Sequence, residues 1–161
     1  MSTPLYFVME LIEVPLSGPP RLSFLPDPYT LRMVDADQAF YGRVGFAPPW
    51  ICYLALRDDR VVGTCGFKGA PKNGEVEIAY HTFPEHEGQG VATAMAGSLV
   101  RIANDHDPSI HVTAQTRPLN TTSSRILQKL GFIRTADGHD EEIGPVHCWQ
   151  WSGQSASAPR S

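Results

Sequence analysis

Residues 74–106 constrain the fold of this chain more than any other segment. A strand-like run ends at Pro84, glycines follow at Gly88 and Gly90, and an amphipathic helical pattern begins at once. This order directs several free backbone N–H groups at one point, where the positive end of a helix dipole also lies. Glycine has no Cβ and lets the backbone approach a ligand closely. The segment therefore predicts a binding site for a diphosphate.

Composition indicates one globular domain. The chain has 161 residues, of which 42% are hydrophobic and 19% are charged, as is typical of soluble proteins. The apolar runs fall short of the roughly 20 residues that a membrane span needs, and the start of the chain does not resemble a signal peptide. We therefore expect one domain over residues 1–152, a disordered tail over residues 153–161 and no membrane as a partner.

Charge and cysteine content argue against nucleic acid and metal ions as ligands of this chain. The formal net charge is −4, and no basic block would neutralise the phosphates of a nucleic acid. Cys52, Cys65 and Cys148 lack the spacing of zinc ligands, and the six histidines are dispersed. Cys52 and Cys65 fall in strand-like runs, where a buried thiol acts as a small hydrophobic group. We expect a cytoplasmic protein that uses no metal ion and binds no nucleic acid.

Hydrophobic periodicity predicts a sheet interrupted by helices. The predicted strands cover residues 5–16, 51–56, 61–67, 75–83, 110–116, 132–135 and 146–151. A short helix is expected after Asp35 as its cap, a longer one from Gly90, and a third between Asn120 and Gly131. Pro26 and Pro28 predict an irregular segment before the first helix. Strands in a run, followed by alternating helices and strands, indicate a mixed α/β sheet with parallel strands near its middle.

Two motifs in this order resemble those of the GNAT superfamily of acyl-CoA-dependent N-acetyltransferases. The family loop Gln/Arg-x-x-Gly-x-Gly/Ala corresponds to residues 87–92, with Glu87 in place of Gln or Arg. The family pattern Asn-x-x-Ser, followed by Lys-Leu-Gly-Phe, corresponds to residues 120–132 at the same spacing. The resemblance covers about residues 50–151. Within the superfamily, residues 75–80 and 90–93 look most like the branch with the ribosomal-protein amino-terminal acetyltransferases and relatives that modify small amines.

The resemblance implies a GNAT-like mixed central sheet, flanked by helices, with acetyl-CoA in the notch between two splayed parallel strands. These strands are residues 75–83 and 110–116. Pantetheine would pair with the backbone near the end of the first strand, and the pyrophosphate would meet the glycine loop. Asn120 would bind the cofactor, cap its own helix, or do both. The implied cofactor contacts are His81, Thr82, Phe83, Glu87, Gly88, Gln89, Gly90, Val91, Ala92, Thr93 and Asn120.

The resemblance also implies direct attack of an amine on the thioester. An alkylammonium must first lose a proton, because its pKa is about 10. Glu77 is the preferred base and Glu75 the reserve, although each also fits a solvated strand face. A backbone N–H near His81 or Thr82 would stabilise the oxyanion. Many members carry a tyrosine acid seven residues after the motif asparagine, where this chain has Leu127. Ser123 is then the candidate for protonating the thiolate, or else it only caps its helix.

Two other functions stay open at this point. A dinucleotide-binding oxidoreductase also uses a strand, a glycine loop and a helix, but its pattern needs a small residue at position 93, where Thr stands, and usually follows a first strand. A GNAT-like domain that binds acyl-CoA without catalysis would tolerate the missing tyrosine. Residues 16–49 are expected to shape the acceptor pocket, whose substrate is a small-molecule or peptide amine. Oligomeric state, including a homodimer, stays open as well.

Overall fold

The computed structural model describes residues 9–153. The start of the strand predicted over residues 5–16, and the tail predicted over residues 153–161 except its first residue, lie outside the described residues. Among the described residues, no helix combines the length and the apolar character needed to cross a bilayer.

One sheet of seven strands and three α-helices account for most of the described chain. In chain order the elements are β1 (Glu10–Glu13), α1 (Pro28–Val44), β2 (Cys52–Arg57), β3 (Arg60–Phe67), β4 (Glu75–Thr82), a 3₁₀ turn (Pro84–His86), α2 (Val91–His106), β5 (His111–Thr116), α3 (Thr121–Leu130), β6 (Phe132–Asp140) and β7 (Gly144–Trp151). The strand order is β1-β2-β3-β4-β5-β7-β6. Among the strands of the described segment, only β4 and β5 pair in parallel. The predicted mixed α/β sheet with central parallel strands is confirmed.

The parallel strands β4 and β5 separate soon after they begin. Their register runs from Glu75 opposite His111 to Glu77 opposite Thr113 and then ends. By contrast, β4 stays paired with β3 as far as Thr82 opposite Gly63. Since β4 remains attached on one side only, a V-shaped opening forms between β4 and β5. This opening is the splay that the resemblance predicts.

The helices divide between the two faces of the sheet. Directly opposed residues of antiparallel strands share a face, so His81 shares one with Thr64. On that face the hydroxyl of Tyr29, from α1, lies 2.8 Å from Nε2 of His81. On the other face, α2 lies so close to β3 that a Cβ on Gly63 would be 3.0 Å from the sulfur of Met95. Helix α3 packs beside α2 on that face through the contact between Leu130 and Gly97.

Helix α1 begins earlier than the sequence predicts. It starts at Pro28, and the side chain of Asp27 caps it by accepting a hydrogen bond of 2.8 Å from the Thr30 N–H. The predicted irregular segment and the cap at Asp35 are therefore wrong, because Asp35 lies within the helix. Proline is favoured at a first helical position, where no N–H is required, so Pro28 starts the helix.

The closing hairpin is longer than predicted. Strands β6 and β7 continue to a turn in which the carboxylate of Asp140 accepts hydrogen bonds from the Glu142 and Ile143 N–H groups, at 2.8 and 3.1 Å. Most of residues 133–142 are exposed, so no hydrophobic alternation marked this extension in the sequence. The turn brings Glu142 towards α1, where it lines a cavity described below.

Candidate active site

The separation of β4 from β5 opens a cleft of about 590 Å³ beside the amino termini of α2 and α3. The cleft is lined by Tyr80, His81, Thr82, Glu87, Gly88, Gly90, Val91, Ala92, Thr93, Asn120, Thr122, Ser123 and Ile126. All of the predicted cofactor contacts except Phe83 and Gln89 are in this set. Phe83 is instead buried, with its ring edge-on to that of Tyr29 at a centroid distance of 4.7 Å.

The glycine loop leaves the first turn of α2 open to an anion. Gly88 and Gly90 have φ angles of 75° and 80°, values that glycine adopts without strain. Gly90 is the N-cap of α2 and has no side chain to satisfy the helix amides. No acidic residue lies in the first turn of α2. The N–H groups of that turn and the helix dipole therefore point together into the cleft, as a phosphate site requires.

Arg57 is a feature of the loop that the sequence did not indicate. Its guanidinium group donates a hydrogen bond from the end of β2 to the side-chain oxygen of Gln89. This contact holds Gln89 away from the cleft lining and brings a cation to the loop. Glu87, the residue of the loop that departs from the family pattern, adds a negative charge. The positive charge of Arg57 partly offsets it.

The free edge of β4 presents main-chain groups to the opening. The Phe83 N–H donates to the Val62 carbonyl at 2.9 Å, and the Glu77 carbonyl accepts from the Lys68 N–H at 2.9 Å. Main-chain groups alternate in direction along a strand, so those of residues 77, 79, 81 and 83 point to β3. Those of Tyr80 and Thr82 point to the side that β5 has left. The main-chain groups of His81 and Phe83, which the resemblance places against the cofactor, therefore face β3 instead.

Ser123 lies at the start of α3, where its main chain contacts Asn120 and its side chain contacts Tyr80. The side-chain oxygen of Asn120 accepts a hydrogen bond of 3.0 Å from the Ser123 N–H, so Asn120 caps α3. The side chain of Ser123 is hydrogen-bonded to Tyr80 across the opening. Burial raises the pKa of the Tyr80 phenol, and the contact with Ser123 opposes the rise. Leu127, at the position of the family tyrosine, is wholly buried.

A second cavity, of about 310 Å³, lies between α1 and the strands β2 to β4. Its lining residues are Asp37, Phe40, Arg43, Cys52, Thr64, Cys65, Gly66, Phe67, Lys68, Ala79, Tyr80, His81 and Glu142. Tyr80 and His81 line both this cavity and the cleft. The two spaces thus meet at the part of β4 that has parted from β5.

Comparison with known proteins agrees with this geometry. Residues 14–133 match the family described as "Acetyltransferase (GNAT) domain". The chain belongs to the GNAT acetyltransferase family. The uncharacterized N-acetyltransferase YjdG of Bacillus subtilis (strain 168) is 35% identical over 94 residues, which are 57% of this chain and 54% of that protein. The chain spans about half the length of the curated relatives it matches.

Solved GNAT structures share the fold. A putative GNAT-family acetyltransferase from Bordetella pertussis has a TM-score of 0.59 at 19% identity, over 80% of this chain and 78% of that chain. RimL, a ribosomal L7/L12 alpha-N-protein acetyltransferase in complex with coenzyme A, has a TM-score of 0.59 at 18% identity, over 76% of this chain and 70% of that chain. Family membership rules out the oxidoreductase alternative, whose glycine loop would follow a first strand and not β4.

Glu77 and Glu75 lie at the paired end of β4 in this GNAT fold. The carboxylate of Glu77 forms an ion pair with Lys68 at 2.5 Å, and Glu75 is exposed at the first position of the strand. The lining of the two cavities includes neither residue. Glu77 lies four positions before His81, which is about 13 Å along a strand.

Two of the three cysteines of this GNAT domain pack in its hydrophobic core. Cys52 and Cys65 are buried free thiols, as predicted. Burial raises the pKa of Cys52 to about 12 and raises that of Cys65 further, so neither thiol is available as a nucleophile at neutral pH. Within residues 9–153, no group of three or more histidine, cysteine or acidic side chains is arranged to hold a metal ion.

Proposed function

We propose that this protein is an N-acetyltransferase that moves an acetyl group from acetyl-CoA to a primary amine. The observation that carries the proposal is the opening between β4 and β5, which has free helix amides at one end and a second cavity at the other. A cofactor with a diphosphate and an extended arm fits the cleft, and an acceptor fits the cavity. The likeness to RimL, whose structure contains coenzyme A, supports this cofactor.

In the proposed complex the pyrophosphate binds the amides of the glycine loop and the first turn of α2. Pantetheine extends along the free edge of β4 and hydrogen-bonds to main-chain groups of Tyr80 and Thr82, as an added strand would. Asn120 and Ser123 approach the arm from α3. The cofactor-binding residues proposed from the sequence are retained, with three exceptions. The side chains of Phe83 and Gln89 have other partners, and the main-chain groups of His81 point to β3.

The proposed reaction is a single acyl transfer. The neutral amine attacks the thioester carbonyl, a C–N bond forms, and a main-chain N–H of Tyr80 or Thr82 stabilises the oxyanion. The attacking nitrogen then loses its second proton to solvent, and collapse of the intermediate breaks the C–S bond and releases the thiolate of coenzyme A. Ser123, hydrogen-bonded to Tyr80, donates a proton to this thiolate and regains one from solvent. The products are an amide, coenzyme A as its thiol, and the proton that the ammonium lost.

Glu77 remains the proposed base, with Glu75 in reserve. Glu77 lies on the same sheet face as Ala79 and His81, which line the acceptor cavity. At about 13 Å from His81 along the strand, its carboxylate accepts the proton through water molecules and not by direct contact. The ion pair with Lys68 fixes the direction of the carboxylate on this face.

The test is binding followed by turnover. Calorimetry with coenzyme A measures occupancy of the cleft, and a thiol reagent follows release of coenzyme A from acetyl-CoA with a panel of primary amines. Binding with amine-dependent thiol release supports the proposal. If coenzyme A binds but no amine causes thiol release, the protein is the non-catalytic acyl-CoA-binding module. The buried Leu127 at the tyrosine position favours that alternative. Lack of binding contradicts both functions.

A further inference from the structure

Asp37 is a carboxylate that the proposed reaction does not yet use. It lies on α1 and lines the 310 Å³ cavity beside β4. Its side chain is hydrogen-bonded to the thiol of Cys52 on β2. Its Oδ2 atom is buried and, within the described residues, has no hydrogen-bond partner. A buried carboxylate oxygen without a donor costs free energy, and a catalytic role or a bound ion or water is among the explanations for such an atom.

The cations around Asp37 already have other contacts. Lys68 pairs with Glu77 at 2.5 Å, and the guanidinium carbon of Arg43 lies 5.4 Å from the centre of the Phe40 ring. Glu142 adds a further negative charge at the rim. The two cations face three carboxylates when Asp37 is ionised, since Glu77 also counts. One negative charge is then left uncompensated. The other titratable groups near Asp37 are Tyr41 on α1, Cys52 on β2, Cys65 on β3 and His81 on β4.

The raised pKa of Asp37 is consistent with a site that binds a cation. Burial raises its pKa to about 6, so the carboxylate is only mildly favoured over its protonated form at neutral pH. A cation beside the carboxylate would stabilise its charge and supply the absent hydrogen-bond donor. Perturbed carboxyl groups in a cavity are typical of functional sites.

We propose that the cavity beneath α1 binds the acceptor as an ammonium ion held by Asp37, so that the acceptors are small cationic amines. This inference rests on the proposed function, since the cavity meets the cofactor cleft at Tyr80 and His81. A volume of about 310 Å³ is at the lower end for ligand pockets, which favours a small amine over an extended peptide. Asp37 is thus a specificity residue for the acceptor.

Matched charged and neutral probes test the proposal without turnover. The protein is first saturated with coenzyme A, and calorimetry then compares benzylamine with benzyl alcohol and butylamine with butanol at pH 7.5. In at least one pair, the ammonium should bind about tenfold more tightly than the alcohol of the same shape. Asp37→Asn should remove most of this preference and leave the affinity for coenzyme A unchanged. The exposed Asp35→Asn, on the same helix, should leave the preference intact.

Equal affinity of amine and alcohol in both pairs overturns the proposal, as does a charge preference that survives in Asp37→Asn. If Asp37→Asn fails to bind coenzyme A, the preference of the wild-type protein for amine over alcohol decides instead, together with Asp37→Glu, which should retain it. Failure of the wild-type protein to bind coenzyme A contradicts the proposed function itself. Binding of coenzyme A without charge preference contradicts only the role of Asp37.

Discussion

The hydroxyl of Tyr29 lies 2.8 Å from Nε2 of His81 and joins α1 to β4 where β4 has parted from β5. The same tyrosine ring packs edge-on against Phe83. Tyr29 therefore fixes the helix that carries Asp37 above the strand that carries the free main-chain edge. The acceptor cavity and the cofactor cleft keep their relative position through this contact.

Tyr29→Phe should loosen α1 without disturbing the cofactor cleft. Loss of one exposed hydrogen bond costs about 1 kcal/mol at most, so the variant should fold and bind coenzyme A normally. We expect a KM for the amine raised by a few fold, because the cavity wall is less well fixed. Steady-state kinetics at saturating acetyl-CoA measure this change. Tyr53→Phe is the control, since the Tyr53 hydroxyl bonds to the Pro49 carbonyl at 2.7 Å and lines neither cavity.

Gly90→Asp should abolish cofactor binding. Gly90 has a φ of 80° at the N-cap of α2, so a side chain there is strained and its carboxylate would occupy the phosphate site. We expect the dissociation constant for coenzyme A to rise by about 100-fold or more, since a charge-assisted site is lost and a repulsion is gained. Gly74→Asp is the control, with a φ of 76° in a turn at the other end of β4. Unchanged affinity in Gly90→Asp would count against the loop as the phosphate site.

Ser123→Ala and Tyr80→Phe should lower turnover while binding is retained. Both side chains meet across the opening, and a proton donor to a leaving group contributes about 100-fold or more. We expect kcat to fall by about tenfold to 100-fold in Ser123→Ala and by less in Tyr80→Phe. Ser124→Ala is the control, because the Ser124 hydroxyl donates to the Asn120 carbonyl at 3.1 Å and lies outside the cleft lining. If kcat is unchanged in Ser123→Ala, Ser123 is not the proton donor and only helps to cap its helix.

Glu77→Gln should lower kcat and change its dependence on pH if Glu77 takes the proton from the amine. The substitution keeps the shape of the side chain but removes the proton acceptor and the ion pair with Lys68. Measurement of kcat between pH 6 and pH 9 in the variant and in Lys68→Met separates the two effects, since Lys68→Met breaks the ion pair and leaves the carboxylate. An unaltered pH profile in Glu77→Gln would eliminate Glu77 as base and direct attention to Glu75.

Local signals made most of the site predictable from the sequence. Gly88, Gly90 and the periodic helix after them form a loop whose chemistry depends on neighbouring residues alone. Asn120 and Gly131 mark the two ends of α3, as caps of that kind do. The splay of β4 from β5 depends on distant strands, and it followed only from the resemblance to GNAT proteins.

Residues that act through distant contacts could not be predicted in this way. Tyr80 alternates with the buried Val76 and Ile78 and therefore looked like a core residue, whereas its hydroxyl reaches Ser123 on α3. Arg57 belongs to a hairpin and meets Gln89 only in the folded chain. Asp37 lay within the predicted helix but gave no signal, because its cavity forms only when α1 packs against β2 to β4. Each of these side chains gains its role from a contact between elements far apart in the sequence.

Asp37 should make the protein less stable as the pH rises from about 4 to about 7. Burial raises its pKa from 3.8 to about 6 in the folded protein. Between these values the folded state keeps a proton that the unfolded state has released, so the free energy of unfolding falls with rising pH. Above the folded pKa the loss is complete and is on the order of 3 kcal/mol.

Asp37→Asn removes this titration. The free energy of unfolding of the variant should therefore equal that of the wild-type protein near pH 4 and exceed it most near pH 7. Urea unfolding at both pH values measures the difference, and a shift of a few degrees in Tm should accompany it. Asp35→Asn, at an exposed position of the same helix, should follow the wild-type protein at both pH values. A saturating ammonium ligand should narrow the gap at pH 7 by stabilising the ionised wild-type carboxylate. If the difference in the free energy of unfolding does not depend on pH, ionisation of Asp37 costs no free energy in the folded protein. The energetic argument that Asp37 binds a cationic acceptor would then fail.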